Sequence, residues 1–117
     1  MPTPFLTGSA QPLYEIKANL FKALAHPARI RILELLSERD LAVHELLAHI
    51  DIEASNLSQQ LAVLRLAGLV TQRREGGQVI YSLALPPVQD LLRVAREILA
   101  SKGGELVDEI SRGPEGS

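Results

Sequence analysis

The stretch 54-ASNLSQQLAVLRLAGLVTQRREGGQVIYSL-83 decides the fold. Leu57, Leu61 and Leu64 recur at i, i+4 and i+7, which is the apolar stripe of one helix. A rotation of about 100° per residue sends Ser55, Gln59 and Ala62 to the opposite side, with Asn56 and Ser58 flanking that outer face. Gly68 breaks the helix, and the β-rich runs LVTQRR and QVIYSL lie on either side of a turn around Glu75-Gly76-Gly77. The stretch therefore reads as a polar-faced helix feeding a short hairpin with arginines near its bend.

Upstream, three helices lead into it. Ile16, Leu20, Phe21 and Leu24 recur at helical spacing from Leu13 onward, and this first helix ends near the His26-Pro27 step, because the residue before proline disfavours α geometry. Pro27 suits the first turn of a second helix running to about Ser37, expected to bury Ile30, Leu33 and Leu36 while Arg29, Glu34 and Glu38 stay wetter. A third helix, about Ala42 to Ile50, directs Val43, Leu46, Leu47 and Ile50 inward. The DIEAS turn then joins it to the polar-faced helix. Downstream, Pro86-Pro87 opens a last helix whose Val88, Leu91, Leu92, Ala95, Ile98 and Leu99 form a broad apolar face, stopped by Gly103-Gly104. The predicted fold is mainly α with a small β-hairpin wing: four helices, two strands and a fifth helix, the layout of a winged helix-turn-helix. Residues 13–101 form this domain, between a flexible N-terminal tail of residues 1–12 and a partly disordered C-terminal tail of residues 102–117.

With 117 residues and 46% of them hydrophobic, the chain can build one core, although a domain of this size often completes its burial by dimerising. The last helix is too apolar to stand alone. Leu13, Ile16 and Leu20 of the first helix and Leu91, Ala95, Ile98 and Leu99 of the last are the expected homodimer interface. The absence of cysteine excludes disulfides, thiolate metal sites and thiol switches. No leader-like segment and no apolar run of roughly 18 to 20 residues is present, so a cytoplasmic protein without membrane contact is expected.

A net charge of −2 argues mildly against nucleic acid, but the charge is unevenly placed. Residues 54–83 hold Arg65, Arg73 and Arg74 against Glu75 alone, while the segments on either side are each acidic. Serine, asparagine and glutamine on an exposed helix can bond base edges in a major groove, and glutamine or asparagine can grip adenine through two bonds. Ser55, Asn56, Ser58 and Gln59 are therefore the expected base or phosphate contacts, with Gln60 at the edge of the buried stripe. Arg73, Arg74 and Gln78 are placed to reach phosphates or the adjacent minor groove. An isolated polar helix is most often merely solvated, and a basic bend is often only a soluble turn. The preceding helix and turn and the following hairpin favour DNA over those readings. Use of the same winged helix for protein interaction stays open as the alternative. An enzyme is disfavoured, since there is no glycine-rich phosphate loop, no nucleophile triad and no paired carboxylates in a plausible cleft.

FKALAHPARIRILELL, SNLSQQLAVLRLAGLV and RREGGQVIYSL, in that order, resemble the second-helix signature, recognition helix and wing of the ArsR/SmtB family of small dimeric bacterial repressors. The resemblance covers roughly residues 13–101. It implies dimerisation through the terminal helices and binding of operator DNA as a repressor released by an effector, here unknown. It also implies metal sensors that these residues do not reproduce. Where many members carry paired cysteines in a motif like ELCVCDL, this chain reads DLAVHEL, with Ala42 and His44 at those positions. The zinc-type site of the last helix needs histidines, and PPVQDLLRVAREILASKGG has none, so Asp90 alone cannot recreate it. No cofactor is expected. His26 suits a structural corner between helices, and His44 and His49 lie some 140° apart on the third helix. A metal held between subunits by His44 or His49 stays open.

Overall fold

A computed structural model describes residues 11–101. They divide into two compact units, one ending at Pro86 and the other beginning at Pro87. The expected tail at residues 102–117, the glycine stop at 103–104 and all but the last two residues of the N-terminal tail lie outside the described residues.

In the first unit, α1 (Leu13–Leu24) follows the extended Pro12, whose carbonyl accepts the Glu15 N–H at 3.0 Å. Leu24 is buried and Ile16 and Leu20 half-buried, whereas Phe21, part of the same apolar spacing, stands exposed with Leu13 and Tyr14. The chain turns tightly through Ala25 and His26 into α2 (Pro27–Glu38). His26 is the N-cap: its Nδ1 accepts the Ala28 N–H at 3.1 Å, and Pro27 fills a position where no N–H is needed. This is the structural corner role expected for that histidine.

α2 is more deeply enclosed than its sequence pattern suggests. Ala28, Ile32, Leu33, Leu35 and Leu36 are buried, while Ile30 is only half-buried. The reason is that α2 packs against both α4 (Ala54–Leu66) and a strand of the sheet, so more than one stripe of it is covered.

Between α2 and α3 (Val43–His49) the chain forms β1 (Leu41–Ala42), a strand too short to leave an alternating pattern in the sequence. Glu45 caps the start of α3: its carboxylate accepts the Ala42 N–H at 2.8 Å and is paired with Arg39 at 3.2 Å. That backbone N–H first, and the guanidinium second, hold the Glu45 carboxyl below its ordinary pKa.

α4 buries Leu57, Leu61 and Leu64, as the spacing predicts. It ends in a Schellman turn: the Leu69 N–H reaches the Leu64 carbonyl at 2.9 Å, and the Gly68 N–H reaches that of Arg65 at 3.0 Å. Gly68 adopts φ +79°, open to glycine at little cost. The hairpin follows as β2 (Val70–Glu75) and β3 (Gln78–Leu83), joined by Gly76 and Gly77, both at positive φ as a two-residue type I′ turn requires. The sheet order is β1-β3-β2, all antiparallel, with Arg73 opposite Ile80, Arg74 opposite Val79, and Leu41 opposite Tyr81. The expected two-stranded wing is thus the larger part of a three-stranded sheet. Ala42 is both the end of β1 and the N-cap of α3, so the sheet is continuous with the helix pair.

The second unit contributes α5 (Pro87–Ser101), with proline at its first position. Arg93 is bonded to Glu97 at 2.6 Å and lies 3.7 Å from Asp90 on its polar side. Val88 is buried, Leu91 and Leu92 are half-buried, and Ala95, Val94, Ile98 and Leu99 are exposed.

Candidate nucleic-acid interface

The outward side of α4 starts with polar groups. Ser55, Ser58 and Gln59 are exposed, held outward by the three leucines that fix the rotation of the helix. Asn56 and Gln60 are half-buried one turn apart, and the Gln60 side-chain amide donates to Asn56 Oδ1 at 3.0 Å. Gln60 Oε1 is buried without a partner, so Gln60 is committed to its neighbour and to the interior rather than presented outward. The bond fixes the Asn56 amide plane and leaves its –NH2 as the free end.

Toward its C-terminus the same side of α4 turns apolar. Ala62 and Val63 are exposed and Leu66 is 73% exposed, next to the exposed cation Arg65. Rotation from Ser55 and Gln59 predicts that Leu66 shares their face. Leu66 lies one turn beyond Ala62, where the outer face expected from the sequence ends.

On the wing, Arg73, Arg74 and Gln78 are all exposed, but the two adjacent arginines differ. Arg73 donates from Nη1 to Asp40 Oδ2 at 2.8 Å and to Ser82 Oγ at 2.9 Å, and from Nε to Glu75 Oε2 at 2.8 Å. The hydrogen bond from Arg73 is the main reason that the Asp40 carboxyl sits below its ordinary pKa, and the carboxylates of Glu75 and Asp40 raise that of Arg73. Arg74 points to the other face of the strand by the alternation of the pleat. Among the described residues neither Arg74 nor Arg65 takes part in an ion pair. Arg65 counts in the basic balance of residues 54–83 but is not among the contacts expected from the sequence; its position in the last turn of α4, beside the exposed stripe, is the signal that adds it.

His44 and His49 are exposed on α3. Among the described residues no three histidine, aspartate or glutamate side chains gather as metal ligands would. Of the expected interface residues, Ile16, Leu20 and Leu91 are half-buried, whereas Leu13, Ala95, Ile98 and Leu99 are exposed.

A short helix, a turn, a second helix with a polar outer face and a hairpin bearing the uncommitted Arg74 together define a winged helix-turn-helix of the DNA-binding class. The family described as "Bacterial regulatory protein, arsR family" matches residues 26–72, from the N-cap of α2 into β2. The uncharacterized HTH-type transcriptional regulator Rv0081 of Mycobacterium tuberculosis is 61% identical over 92 residues, which are 78% of this chain and 81% of that one. Its crystal structure superposes with a TM-score of 0.71 over 79% of this chain and 93% of that chain, at 60% identity. The transcriptional activator HlyU of Vibrio cholerae is 35% identical over 101 residues, 81% of this chain and 94% of the relative. A homodimeric winged helix-turn-helix DNA-binding domain, Mb0332 of Mycobacterium bovis, matches at 29% identity with a TM-score of 0.65, over 77% of this chain and 88% of that domain. The chain belongs to the ArsR family of bacterial transcriptional regulators. Its relatives are regulators of transcription rather than enzymes. Among the described residues no helix is long and apolar enough to cross a membrane.

Proposed function

We propose that the chain is a cytoplasmic, homodimeric repressor that binds an inverted-repeat operator and is released by an effector. The observation that carries this reading is the exposed Ser55, Ser58 and Gln59 on α4, followed in the chain by the uncommitted Arg65 and Arg74. Ser55, Ser58 and Gln59, with the –NH2 of Asn56, meet base edges or phosphates, and Arg74 and Gln78 meet the backbone or minor groove beside them. Dimerisation is supported by the exposed apolar residues of α1 and α5 and by the homodimeric state of the M. bovis domain. Two such subunits place their α4 helices in successive major grooves, about 34 Å apart.

Repression follows the family resemblance and acts by occluding polymerase. The effector shifts the population of dimer geometries that match the groove spacing. Release does not use the thiolate site, for want of cysteine, nor the last-helix zinc site, for want of histidine there. Titration with zinc, nickel and cobalt tests for a metal held between subunits.

Genome-wide mapping of bound fragments, followed by shift assays on them across a salt series, tests the reading. Discrete fragments bound with a steep salt dependence are expected. Activation on binding, the role given in the name of the V. cholerae relative, would reverse the sign of regulation but keep the reader. The protein-interaction alternative is favoured by a different observation, the exposed Val63 and Leu66 on α4, where phosphate contact needs polar groups. Absence of binding to any genomic fragment at low salt would favour it instead.

A further inference from the structure

Arg73 and Arg74 are neighbours in sequence, yet the sheet separates their environments. Leu41 pairs with Tyr81, so Asp40 falls beside Ser82; Arg73 pairs with Ile80, two residues along the same strand from Ser82. Asp40, Ser82, Arg73 and Glu75 thereby meet on one face of the sheet, with bonds of 2.8 to 2.9 Å. Three of the five guanidinium N–H donors are used: both on Nη1 and the one on Nε. With Asp40 and Glu75 both ionised, the cluster carries one net negative charge, so this face of the wing repels phosphate rather than attracting it. Asp40 lies 33 residues from Arg73 in the chain, immediately before β1 and the start of α3. The cluster therefore ties the hairpin to the root of the helix pair.

We propose that Asp40 is a positioning residue of the DNA reader: with Glu75 and Ser82 it retains the Arg73 guanidinium on the protein, fixing the pose of the wing, while Arg74 supplies the wing's phosphate contact. An isolated exposed ion pair contributes little and would yield to a phosphate. Here one guanidinium bridges two carboxylates and a hydroxyl drawn from β2, from β3 and from the residue before β1. Its two Nη2 N–H groups are unused, but a phosphate brought to them would sit beside the carboxylates of Asp40 and Glu75, which repel it. The proposal rests on the reading that the wing meets DNA.

The test is the slope of log affinity against log salt for the full chain on a bound genomic fragment, where each phosphate contact contributes about 0.9. Arg74→Gln is expected to flatten the slope by about that amount. Arg73→Gln is expected to weaken binding by one factor at every salt concentration and leave the slope unchanged. Flattening by Arg73→Gln equal to that of Arg74→Gln would make Arg73 a phosphate contact and overturn the proposal, as would no change with Arg74→Gln. Should Arg73→Gln fail to fold, the Asp40→Asn, Glu75→Gln double variant decides. It frees Arg73 and is expected to steepen the slope by about 0.9, and adding Arg73→Gln should cancel that gain. A steepening that survives the third substitution would come from the lost carboxylates alone and would overturn the proposal. Failure of the wild-type chain to bind DNA at any salt would remove the proposed function and this inference together; any failure with the wild type bound removes the inference alone.

Discussion

Leu57, Leu61 and Leu64 of α4 are sealed within the first unit, whereas Ile98 and Leu99 of α5, just as apolar, are exposed. Both helices are amphipathic, but they turn opposite sides outward. α4 spends its apolar side on the core and presents serine and glutamine. α5 turns Arg93 and Glu97 to one side and leaves isoleucine and leucine exposed on another. The difference separates a helix whose leucine stripe is buried within the chain, with Ala62, Val63 and Leu66 exposed toward its end, from a helix that leaves most of its apolar residues exposed. Exposed polar groups on the first suit a hydrated, charged target, and exposed apolar groups on the second suit a protein surface.

Four measurements break or sharpen this contrast. The largest effect is expected from Leu61→Ala, which opens a cavity beneath α4 and costs about 2–5 kcal/mol of unfolding free energy. Chemical denaturation should show it, and a loss below 1 kcal/mol would mean that the stripe is not the core. Ile98→Glu is next: it should leave helical content unchanged while weakening self-association at least roughly tenfold, the equivalent of about 1.4 kcal/mol, through lost apolar burial and a charge in the interface. A variant that sediments like the wild type would remove Ile98 from that interface.

Gln59→Ala probes the outward side of α4 and should cost about 1–3 kcal/mol in preference for the cognate fragment over random DNA. Equal loss on both would demote it to a backbone contact. The smallest effect concerns the carboxylates at the edge of the first unit. Asp40 and Glu45 have pKa values lowered by folding, so their stabilisation is present above the unfolded values, about 3.9 and 4.3, and is lost as pH falls through the folded ones. Asp40→Asn and Glu45→Gln should each slightly flatten the acid limb of stability against pH. An acid limb identical to that of the wild type would show that exposure to solvent has erased the benefit.

Periodicity made the helices legible. Leu57, Leu61 and Leu64 were found from spacing alone, and Gly76-Gly77 located the hairpin bend because only a primed turn needs two residues at positive φ. What escaped was tertiary. Ile32 and Leu35 are buried because α2 is covered from more than one direction, which a single-stripe reading cannot register. β1 is two residues long and exists only because β3 lies beside it. The exposure of Ser55, Ser58 and Gln59 was legible from helix rotation, whereas the engagement of Arg73 was not, since its partner Asp40 is distant in the chain and adjacent only through strand register. Gln60 shows the same limit on a smaller scale: its edge position was visible, and its bond to Asn56 was not.

The turn at Gly76 and Gly77 has a consequence for how such a reader diversifies. A Cβ built on either glycine would meet no atom within 4 Å, so the only restriction there is torsional. Asparagine or aspartate, which tolerate left-handed backbone, could stand at these positions, and extra residues could lengthen the loop without disturbing the Glu75 and Gln78 pairing below it. The tip is therefore an open port at the end of the sheet: a place to graft a basic loop, a fluorophore or a longer arm, altering the reach of the wing while the core stays as it is.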